Sequence, residues 1–233
     1  EELAAFIHYG MNTYTNSEWG NGKEDPKNFT PTNLDTDQWI KTLKDAGFKR
    51  TILVVKHHDG FVLYPSRYTD HTVASSSWKD GKGDVLAEIS KSATKYDMNL
   101  GVYLSPWDVN NPKYTVATEK DYNEYYLNQL KEILGNPKYG NKGKFIEVWM
   151  DGARGSGAQK VTYTFDKWFQ YIKEAEGDIA IFSAQPTSIR LIGNERGTAG
   201  DPVWQKVKKA YITDNLTNDY LNHGDPDGDM YSV

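Results

Sequence analysis

Short apolar runs alternate with amphipathic segments along this chain. The runs at residues 51–55 and 100–105 consist almost entirely of apolar or β-favouring residues, and polar residues follow both. Runs of this length predict buried strands. In the segments between the runs, apolar residues recur at helical spacing, as in residues 119–134, which end at Gly135. The chain is therefore predicted to alternate strands with helices.

Six strands are predicted, and helices follow most of them. The strands are predicted at residues 5–10, 51–55, 100–105, 145–150, 179–182 and 190–193, and the helices at residues 35–46, 84–96, 119–134 and 163–176. This alternation calls for right-handed crossovers between parallel strands. The long polar insertions follow strands rather than helices, which is typical of a (β/α)8 barrel, a TIM-like fold. A doubly wound sheet is the alternative, but the first strand lacks the glycine fingerprint of its dinucleotide-binding version.

The number of predicted strands bears on the domain organisation. After Glu195 the periodic pattern fades into a polar end at residues 224–229. Six strands do not close an eight-stranded barrel. We therefore expect residues 1–233 to form a single α/β barrel domain that is incomplete at its C-terminus, with the last strands outside this chain.

Composition narrows the range of partners. The net charge is −5, the pI is about 5.6, and no basic run is present, which argues against nucleic acid as a partner. No segment approaches the roughly 18 apolar residues of a membrane span. The chain has no cysteine, which excludes disulfides, thiolate zinc sites and cysteine nucleophiles. Aromatic residues make up 13% of the chain; such rings suit stacking against sugars, although ordinary packing explains most of them.

Two carboxylates follow predicted strands. Asp151 comes directly after the apolar run at residues 145–150 and precedes Gly152, and Glu195 follows the run at 190–193. Because strand ends share one rim of a barrel, the two are expected to face each other across its mouth. A facing pair of this kind is what glycoside hydrolysis requires. The alternatives are an ordinary Asp-Gly turn for Asp151 and a solvated loop charge for Glu195.

Histidines occur at the same strand ends. His8 lies at the end of the first predicted strand, and His57 and His58 follow the second. His71 and His223 lie in polar loops and are expected to be structural. Neutral imidazoles can donate and accept hydrogen bonds and would suit sugar hydroxyls. No second His/Asp cluster is visible in the sequence, so no metal is expected.

Aromatic residues and one further acid belong to the same predicted rim. Trp149 lies two residues before Asp151 and shares its face of the strand, where it either walls a pocket or packs in the barrel core. The other members of this rim are Glu18, Trp19, Tyr103 and Trp107.

Five short motifs carry a family resemblance. They are His8-Tyr9-Gly10, Glu18-Trp19-Gly20, Lys56-His57-His58-Asp59-Gly60-Phe61, Tyr103-Leu104-Ser105-Pro106-Trp107-Asp108 and Trp149-Met150-Asp151-Gly152-Ala153. In this order they resemble the catalytic domain of the glycoside hydrolase family 29 α-L-fucosidases, over about residues 5–204. The segment at residues 78–84 and the Ser-Pro-Trp-Asp turn resemble the subfamily that prefers α-1,3/1,4-linked fucose.

The resemblance implies roles for individual residues. It implies Asp151 as the nucleophile and Glu195, in the Asn194-Glu195 element, as the acid/base of a retaining hydrolysis without a cofactor. The pocket positions that it implies are His8, Trp19, His57, His58, Tyr103 and Trp149, with Glu18 as a weaker match.

The resemblance also implies a substrate and a location. The expected partner is a fucosylated oligosaccharide or glycoprotein glycan, and the expected location is secreted or on a bacterial cell surface. The family's C-terminal β-sandwich is expected to lie outside this chain. Two alternatives stay open: an inactive, glycosidase-like sugar-binding module, and a metal-dependent hydrolase on the same barrel.

Overall fold

A parallel sheet forms the centre of the molecule. The computed structural model describes residues 3–152, 160–183, 188–194, 196–208 and 223–231. Five strands pair in sequence order and all in parallel: β1 (Ala4–Ile7), β2 (Arg50–Lys56), β3 (Asn99–Leu104), β4 (Glu147–Trp149) and β5 (Ala180–Phe182). In a (β/α)8 barrel each strand likewise lies beside the next one along the chain. The predicted α/β fold with parallel strands is confirmed.

Helices connect the strands and cover one face of the sheet. They are α1 (Met11–Thr15), α2 (Thr36–Asp45), α3 (Val85–Tyr96), α4 (Glu119–Ile133) and α5 (Phe165–Glu176). Asp35 caps α2 by accepting a hydrogen bond from Gln38 N at 2.9 Å, and Asp84 caps α3 in the same way from Ala87 N at 2.9 Å. Among the described residues, no helix is long and apolar enough to cross a membrane.

The two faces of the sheet differ in what they pack against. On the helix-covered face, alternate strand residues such as Leu53, Val102 and Val148 belong to the main hydrophobic core. On the opposite face, Ile52, Val54 and Tyr103 form a smaller apolar cluster that packs against Trp149 and Ala4. Because side chains alternate along a strand, this second face leads directly to the residues that follow the strand ends.

Three parts of the fold differ from the sequence prediction. Residues 190–193 are not a strand, and the prediction there was wrong: an isolated bridge joins Ile189 to Phe182, and the chain then turns away. Beyond this bridge, the Arg190 guanidinium donates to the Trp204 carbonyl at 2.7 Å. Residues beyond it form an unpredicted antiparallel pair, β6 (Lys206–Val207) with β7 (Met230–Tyr231). Helix α1 lies in the polar insertion after the first predicted strand, where no helix is predicted.

A buried ion pair joins the end of β2 to the loop after β3. Lys56 is fully buried, and its Nζ lies 3.1 Å from Asp108 Oδ2 and donates to Gln129 Oε1 at 2.8 Å. Asp108 also accepts from Tyr125 Oη at 3.2 Å and from the backbone N–H of Asn110 at 3.1 Å. Burial lowers the pKa of the Lys56 ammonium, and the adjacent Asp108 carboxylate opposes that change. The charges are therefore paired and well hydrogen-bonded, as buried charges need to be.

We expect Lys56→Ala to destabilise the protein strongly. The substitution leaves Asp108 buried without its cation, which costs roughly 3–5 kcal/mol of unfolding free energy. Urea denaturation followed by circular dichroism measures the change. Lys41→Ala is the matched control, because Lys41 pairs with Asp45 on the exposed surface of α2, and we expect no measurable loss from it. Equal effects of the two substitutions would contradict the structural role of Lys56.

Candidate active site

The strand ends bring five of the predicted site residues together. The His8 ring lies 5.8 Å from that of His57 and 6.2 Å from that of Tyr103, and the His57 and His58 rings are 4.1 Å apart. Tyr103 in turn donates a hydrogen bond to Asp151 Oδ2 at 2.9 Å. These residues come from β1, β2, β3 and the end of β4, so the parallel sheet alone places them at one edge.

Asp151 is half-buried and held by two donors. Tyr103 Oη contacts its Oδ2, and its own neighbour Gly152 donates a backbone N–H to Oδ1 at 2.7 Å. Its backbone carbonyl accepts from Ser105 Oγ at 3.1 Å. Hydrogen bonds to a carboxylate fix its direction. The Asp-Gly pair is thus a turn, and it also fixes the direction of a carboxylate.

The adjacent histidines both reach this cluster because β2 ends before them. The pairing of β2 with β3 becomes irregular between Val54 and Lys56, and the strand stops at Lys56. Beyond a strand end, successive side chains are no longer forced to opposite faces. His57 consequently stacks beside Tyr103, with ring centroids 5.8 Å apart, while His58 packs on Trp107 at 4.7 Å.

The hydrogen bonds around Ser105 favour one tautomer of His58. Ser105 Oγ lies 2.7 Å from His58 Nδ1 and also contacts the carbonyl oxygens of Trp107 (3.0 Å) and Asp151 (3.1 Å). A hydroxyl has one proton, and a carbonyl can only accept. All these groups are best satisfied if Ser105 donates to a carbonyl and His58 Nδ1–H donates to Ser105. His58 Nε2 then keeps its lone pair as a hydrogen-bond acceptor.

Burial keeps these histidines neutral. It lowers the pKa of His57 to about 3, helped by the neighbouring His58 and His8, while Asp151 acts in the opposite direction. It lowers the pKa of His58 to about 4, with a further contribution from the Lys56 charge. Burial also lowers the pKa of His8, again opposed by Asp151. His57 Nδ1 is buried with no hydrogen-bond partner among the described residues, which further disfavours a proton there.

A cavity of about 290 Å³ opens beside the histidine cluster. Of the predicted site residues, His8, Glu18 and His57 line it. Trp19 is 46% exposed and makes edge contacts with the rings of Trp107 (5.7 Å) and His58 (6.3 Å). The cavity therefore has a polar wall of histidines and a carboxylate, next to an exposed indole that is available for stacking.

Trp149 lies one layer below Asp151. Its ring stacks on Phe182 with centroids 3.9 Å apart, meets Phe6 edge-on at 4.7 Å, and donates its indole N–H to Glu147. Glu147 is itself buried against Arg50 at 3.0 Å. The contacts of Trp149 are those of the packing alternative, and its prediction as a substrate-binding residue stays a prediction.

Glu195 lies outside the described residues, so its separation from Asp151 is not part of the structure. Its neighbours form a compact turn: Asn194 Oδ1 accepts from Arg196 N at 2.9 Å, and Asn194 Nδ2 donates to Thr198 Oγ1 at 2.7 Å. The prediction that Glu195 is the acid/base stays a prediction.

Comparison with known proteins assigns this arrangement to a family. The family model described as alpha-L-fucosidase matches residues 3–188 of the chain. Alpha-L-fucosidase 1 of Arabidopsis thaliana is 44% identical over 233 residues, covering 98% of this chain and 43% of the plant protein. The chain belongs to the α-L-fucosidase family.

Solved structures of fucosidases agree with this assignment. The crystal structure of SpGH29 is 59% identical with a TM-score of 0.94, covering 100% of this chain and 52% of the other. A GH29 fucosidase of Ruminococcus gnavus in complex with fucose is 45% identical with a TM-score of 0.88, covering 100% of this chain and 52% of the other. The predicted resemblance to glycoside hydrolase family 29 is confirmed, and the chain spans about half the length of these relatives.

Three residues of this fucosidase-family site received no role from the sequence. Ser105 links His58 to the Asp151 backbone, and Gly152 lies against the His58 ring so closely that a Cβ there would overlap it. Asp59 lines the cavity, and burial together with the nearby Glu24 charge raises the pKa of its carboxyl to about 7. One signal was available for Ser105, since it lies two residues after Tyr103 and so continues the same face of β3.

We expect the histidine cluster to make stability fall in acid. Unfolded His58 takes up a proton below about pH 6.5, whereas folded His58 does so only near pH 4. The contribution of His58 to the unfolding free energy therefore decreases as the pH drops from about 6.5 to about 4. The slope approaches about 1.4 kcal/mol per pH unit. Asp59 has the opposite sign, because its folded pKa is raised, so the test compares variants rather than reading one curve.

Urea denaturation of wild type and His58→Asn between pH 6.5 and 4.5 measures this contribution. We expect the slope of His58→Asn to be lower by about 1 kcal/mol per pH unit. His223→Asn is the control, because His223 is exposed, and its curve is expected to follow wild type. Parallel curves for His58→Asn and wild type would show that His58 is not held neutral.

Proposed function

We propose that this protein is a retaining exo-α-L-fucosidase that uses Asp151 as nucleophile and Glu195 as acid/base. The observation that carries the proposal is the placement of Asp151, which follows β4 at the sheet edge and is held by Tyr103 and Gly152 beside the cluster of neutral histidines. Membership of the fucosidase family supports it. The chain spans about half the length of its relatives, so the activity that we propose is that of the whole protein.

The proposed reaction has two steps. In the first, Asp151 attacks the anomeric carbon of fucose while Glu195 donates a proton to the departing glycosidic oxygen. In the second, Glu195 removes a proton from water, which attacks the same carbon and releases fucose with its configuration retained. The donors from Tyr103 and Gly152 orient the Asp151 carboxylate, so that it enters the first step as a nucleophile.

The surroundings of Asp151 suit an uncharged sugar. Fucose presents hydroxyl groups, which need partners that donate and accept, and a neutral imidazole offers both. The low pKa of His57 and of His58 keeps their rings neutral at physiological pH. The R. gnavus relative was solved in complex with fucose. Fucose is therefore the kind of molecule that these neutral histidines can hold.

We further propose that the fucose is α-1,3- or α-1,4-linked in Lewis-type glycans. The support is the resemblance of the Ser105-Pro106-Trp107-Asp108 turn to that subfamily, together with the exposed Trp19 that contacts Trp107. A branched glycan presents a second sugar beside the fucose, and an exposed indole provides a surface for it. A secreted or cell-surface location, where such glycans are found, is part of the same proposal.

Removing either carboxylate is expected to abolish turnover, and the product formed with azide distinguishes the two variants. Asp151→Ala and Glu195→Ala should each lower kcat on an aryl fucoside by on the order of 10³-fold or more. Azide should then rescue Asp151→Ala with formation of β-fucosyl azide, since azide attacks from the vacated nucleophile side. Rescue of Glu195→Ala should instead give α-fucosyl azide, because the covalent intermediate still forms. Proton NMR of the products distinguishes the two anomers.

Asp166→Ala is the matched control, since Asp166 is exposed on α5, and we expect full activity from it. Full activity of Asp151→Ala would refute the assignment of the nucleophile. If wild type binds fucose by calorimetry but releases none from any substrate, the protein is instead a sugar-binding module.

Linkage preference is tested by comparing branched and linear substrates. We expect kcat/KM for fucose release from Lewis a or Lewis x trisaccharide to exceed that for 2′-fucosyllactose by at least about tenfold, which corresponds to about 1.4 kcal/mol of transition-state discrimination. Released fucose is measured by a coupled dehydrogenase assay. Equal or reversed values would contradict the α-1,3/1,4 proposal while leaving the fucosidase proposal intact.

A further inference from the structure

A second polar cluster borders the cavity. Glu24, Asp59 and His71 each contribute one atom to a group in which all three atoms lie within 4.8 Å of one another. Glu24 precedes the turn at residues 26–28, Asp59 follows β2, and His71 lies in the long segment before α3. The three residues are far apart in sequence, so only the fold brings them together. None of them belongs to the proposed reaction.

Two atoms of this cluster are buried without a hydrogen-bond partner. His71 is only 5% exposed, and its Nε2 has no partner among the described residues; the same is true of Glu24 Oε2, which lies 4.0 Å from it. The other carboxylate oxygen of Glu24 accepts from Asn21 N at 2.6 Å, so Glu24 is anchored with its free oxygen turned toward His71. A buried, unpartnered imidazole nitrogen and carboxylate oxygen facing each other are costly unless something lies between them.

The charges of the cluster are also unbalanced. It holds two carboxylates, Glu24 and Asp59, and Asp59 is only 2% exposed. The nearest lysine on β2, Lys56, is already paired with Asp108. Within the described ranges, Glu24 has no ion pair except the long contact with His71, and no ion pair of Asp59 is found. Buried carboxylates without a cation are expensive, and a bound cation is one way to balance them.

A fourth oxygen borders the same space. Asn12 Oδ1 is buried without a partner, and the position of a Cβ on Gly20 would lie 2.8 Å from it and 2.9 Å from Glu24 Oε1. Gly20 has a φ of +72°, so glycine is favoured there both by the backbone and by the lack of room. The absence of a side chain at residue 20 lets the amide of Asn12 and the carboxylate of Glu24 approach each other.

We propose that Glu24, Asp59 and His71, with Asn12 Oδ1 as a neighbouring fourth ligand, bind one divalent cation of the Zn²⁺ or Mn²⁺ class. An imidazole nitrogen favours a first-row transition metal over Ca²⁺ or Mg²⁺, and two carboxylates neutralise its charge. Metal–ligand bonds of about 2.0–2.2 Å place neighbouring ligand atoms about 3.4 Å apart. The atoms of this cluster lie within 4.8 Å of one another, so side-chain rotations that move them by about an ångström complete the site.

The cation would join two segments that line the cavity to the segment that precedes α3. Glu24 belongs to the loop that carries Glu18 and Trp19, Asp59 directly follows the His57-His58 pair, and His71 anchors the segment before α3. Binding would therefore hold the rim of the cavity to the end of β2. The role is structural, and it does not depend on the fucosidase proposal.

Calorimetric titration of ZnCl₂ and MnCl₂ into tag-free, EDTA-treated protein tests the site. We expect one Zn²⁺ per chain, weaker binding of Mn²⁺ and no heat with MgCl₂, following the usual order of affinities. At a Zn²⁺ concentration about 100-fold above Kd, Tm should rise by roughly 5–10 °C. Neither readout involves fucosidase activity, so failure of one proposal leaves the other untouched.

Two ligand variants and one control locate the bound ion. Glu24→Gln keeps the shape and the bond to Asn21 N, and His71→Asn removes the imidazole; both are expected to weaken Zn²⁺ binding by about 100-fold or more. His57→Asn removes an imidazole from the other cluster and is expected to leave Zn²⁺ binding unchanged. Circular dichroism of the metal-free variants confirms that they fold.

The results that would overturn the proposal are specific. The absence of Zn²⁺ and Mn²⁺ binding in wild type would mean that a shared proton or a bridging water fills the cluster. Binding that survives in both Glu24→Gln and His71→Asn, or that is lost in His57→Asn, would place the metal elsewhere.

Discussion

The buried pair of Lys56 and Asp108 is the constraint on which the site depends. A buried charge is tolerated only with a partner and further hydrogen bonds, so the end of β2 and the loop after β3 have to stay together. Asp108 accepts from the N–H groups of Asn110 and Asn111, and Gln129 brings α4 into the same network. The residues that directly follow Lys56 are the two site histidines, and those that precede Asp108 include Ser105 and Trp107. The Lys56–Asp108 pair therefore fixes the position of the two histidines relative to Ser105 and Trp107.

A second consequence of this burial is that the histidines beside Asp151 are uncharged. Burial and the nearby Lys56 ammonium both work against a proton on His58, and burial does the same for His57. A neutral wall leaves Asp151 as the anion that Tyr103 and Gly152 orient. In the proposed reaction this division suits a neutral sugar. The neutral histidines can donate to and accept from its hydroxyl groups, and the Asp151 carboxylate faces the carbon on which positive charge develops. The cost is expected in stability at low pH, since the histidines resist protonation only while the protein is folded.

Sequence reasoning reached most of the sheet and the strand-end residues, because both follow from local patterns. The strands β1 to β5 and the caps Asp35 and Asp84 are encoded by apolar runs and by single residues beside them. The false strand at residues 190–193 shows the limit: its apolar pattern is short, and the hydrogen bond of Arg190 to Trp204 is a contact that this pattern does not encode. The cluster of Glu24, Asp59 and His71 shows another limit. Its members lie in separate loops, and no spacing in the sequence relates them, so the sequence predicts only a structural role for His71.

Two glycines explain why the motifs have the form they do. A Cβ on Gly60 would overlap Asp108 Oδ1, and a Cβ on Gly152 would overlap the His58 ring. Both residues also have a positive φ, +82° and +77°, which side-chain-bearing residues rarely adopt. The Asp-Gly pairs after β2 and β4 are thus required by the close approach of neighbouring strand ends. The first glycine admits the partner of Lys56, and the second admits the histidine whose hydrogen bonds run through Ser105 to the backbone of Asp151. What appears in the sequence as catalytic motifs is therefore, in large part, the packing that lets buried polar groups meet their partners.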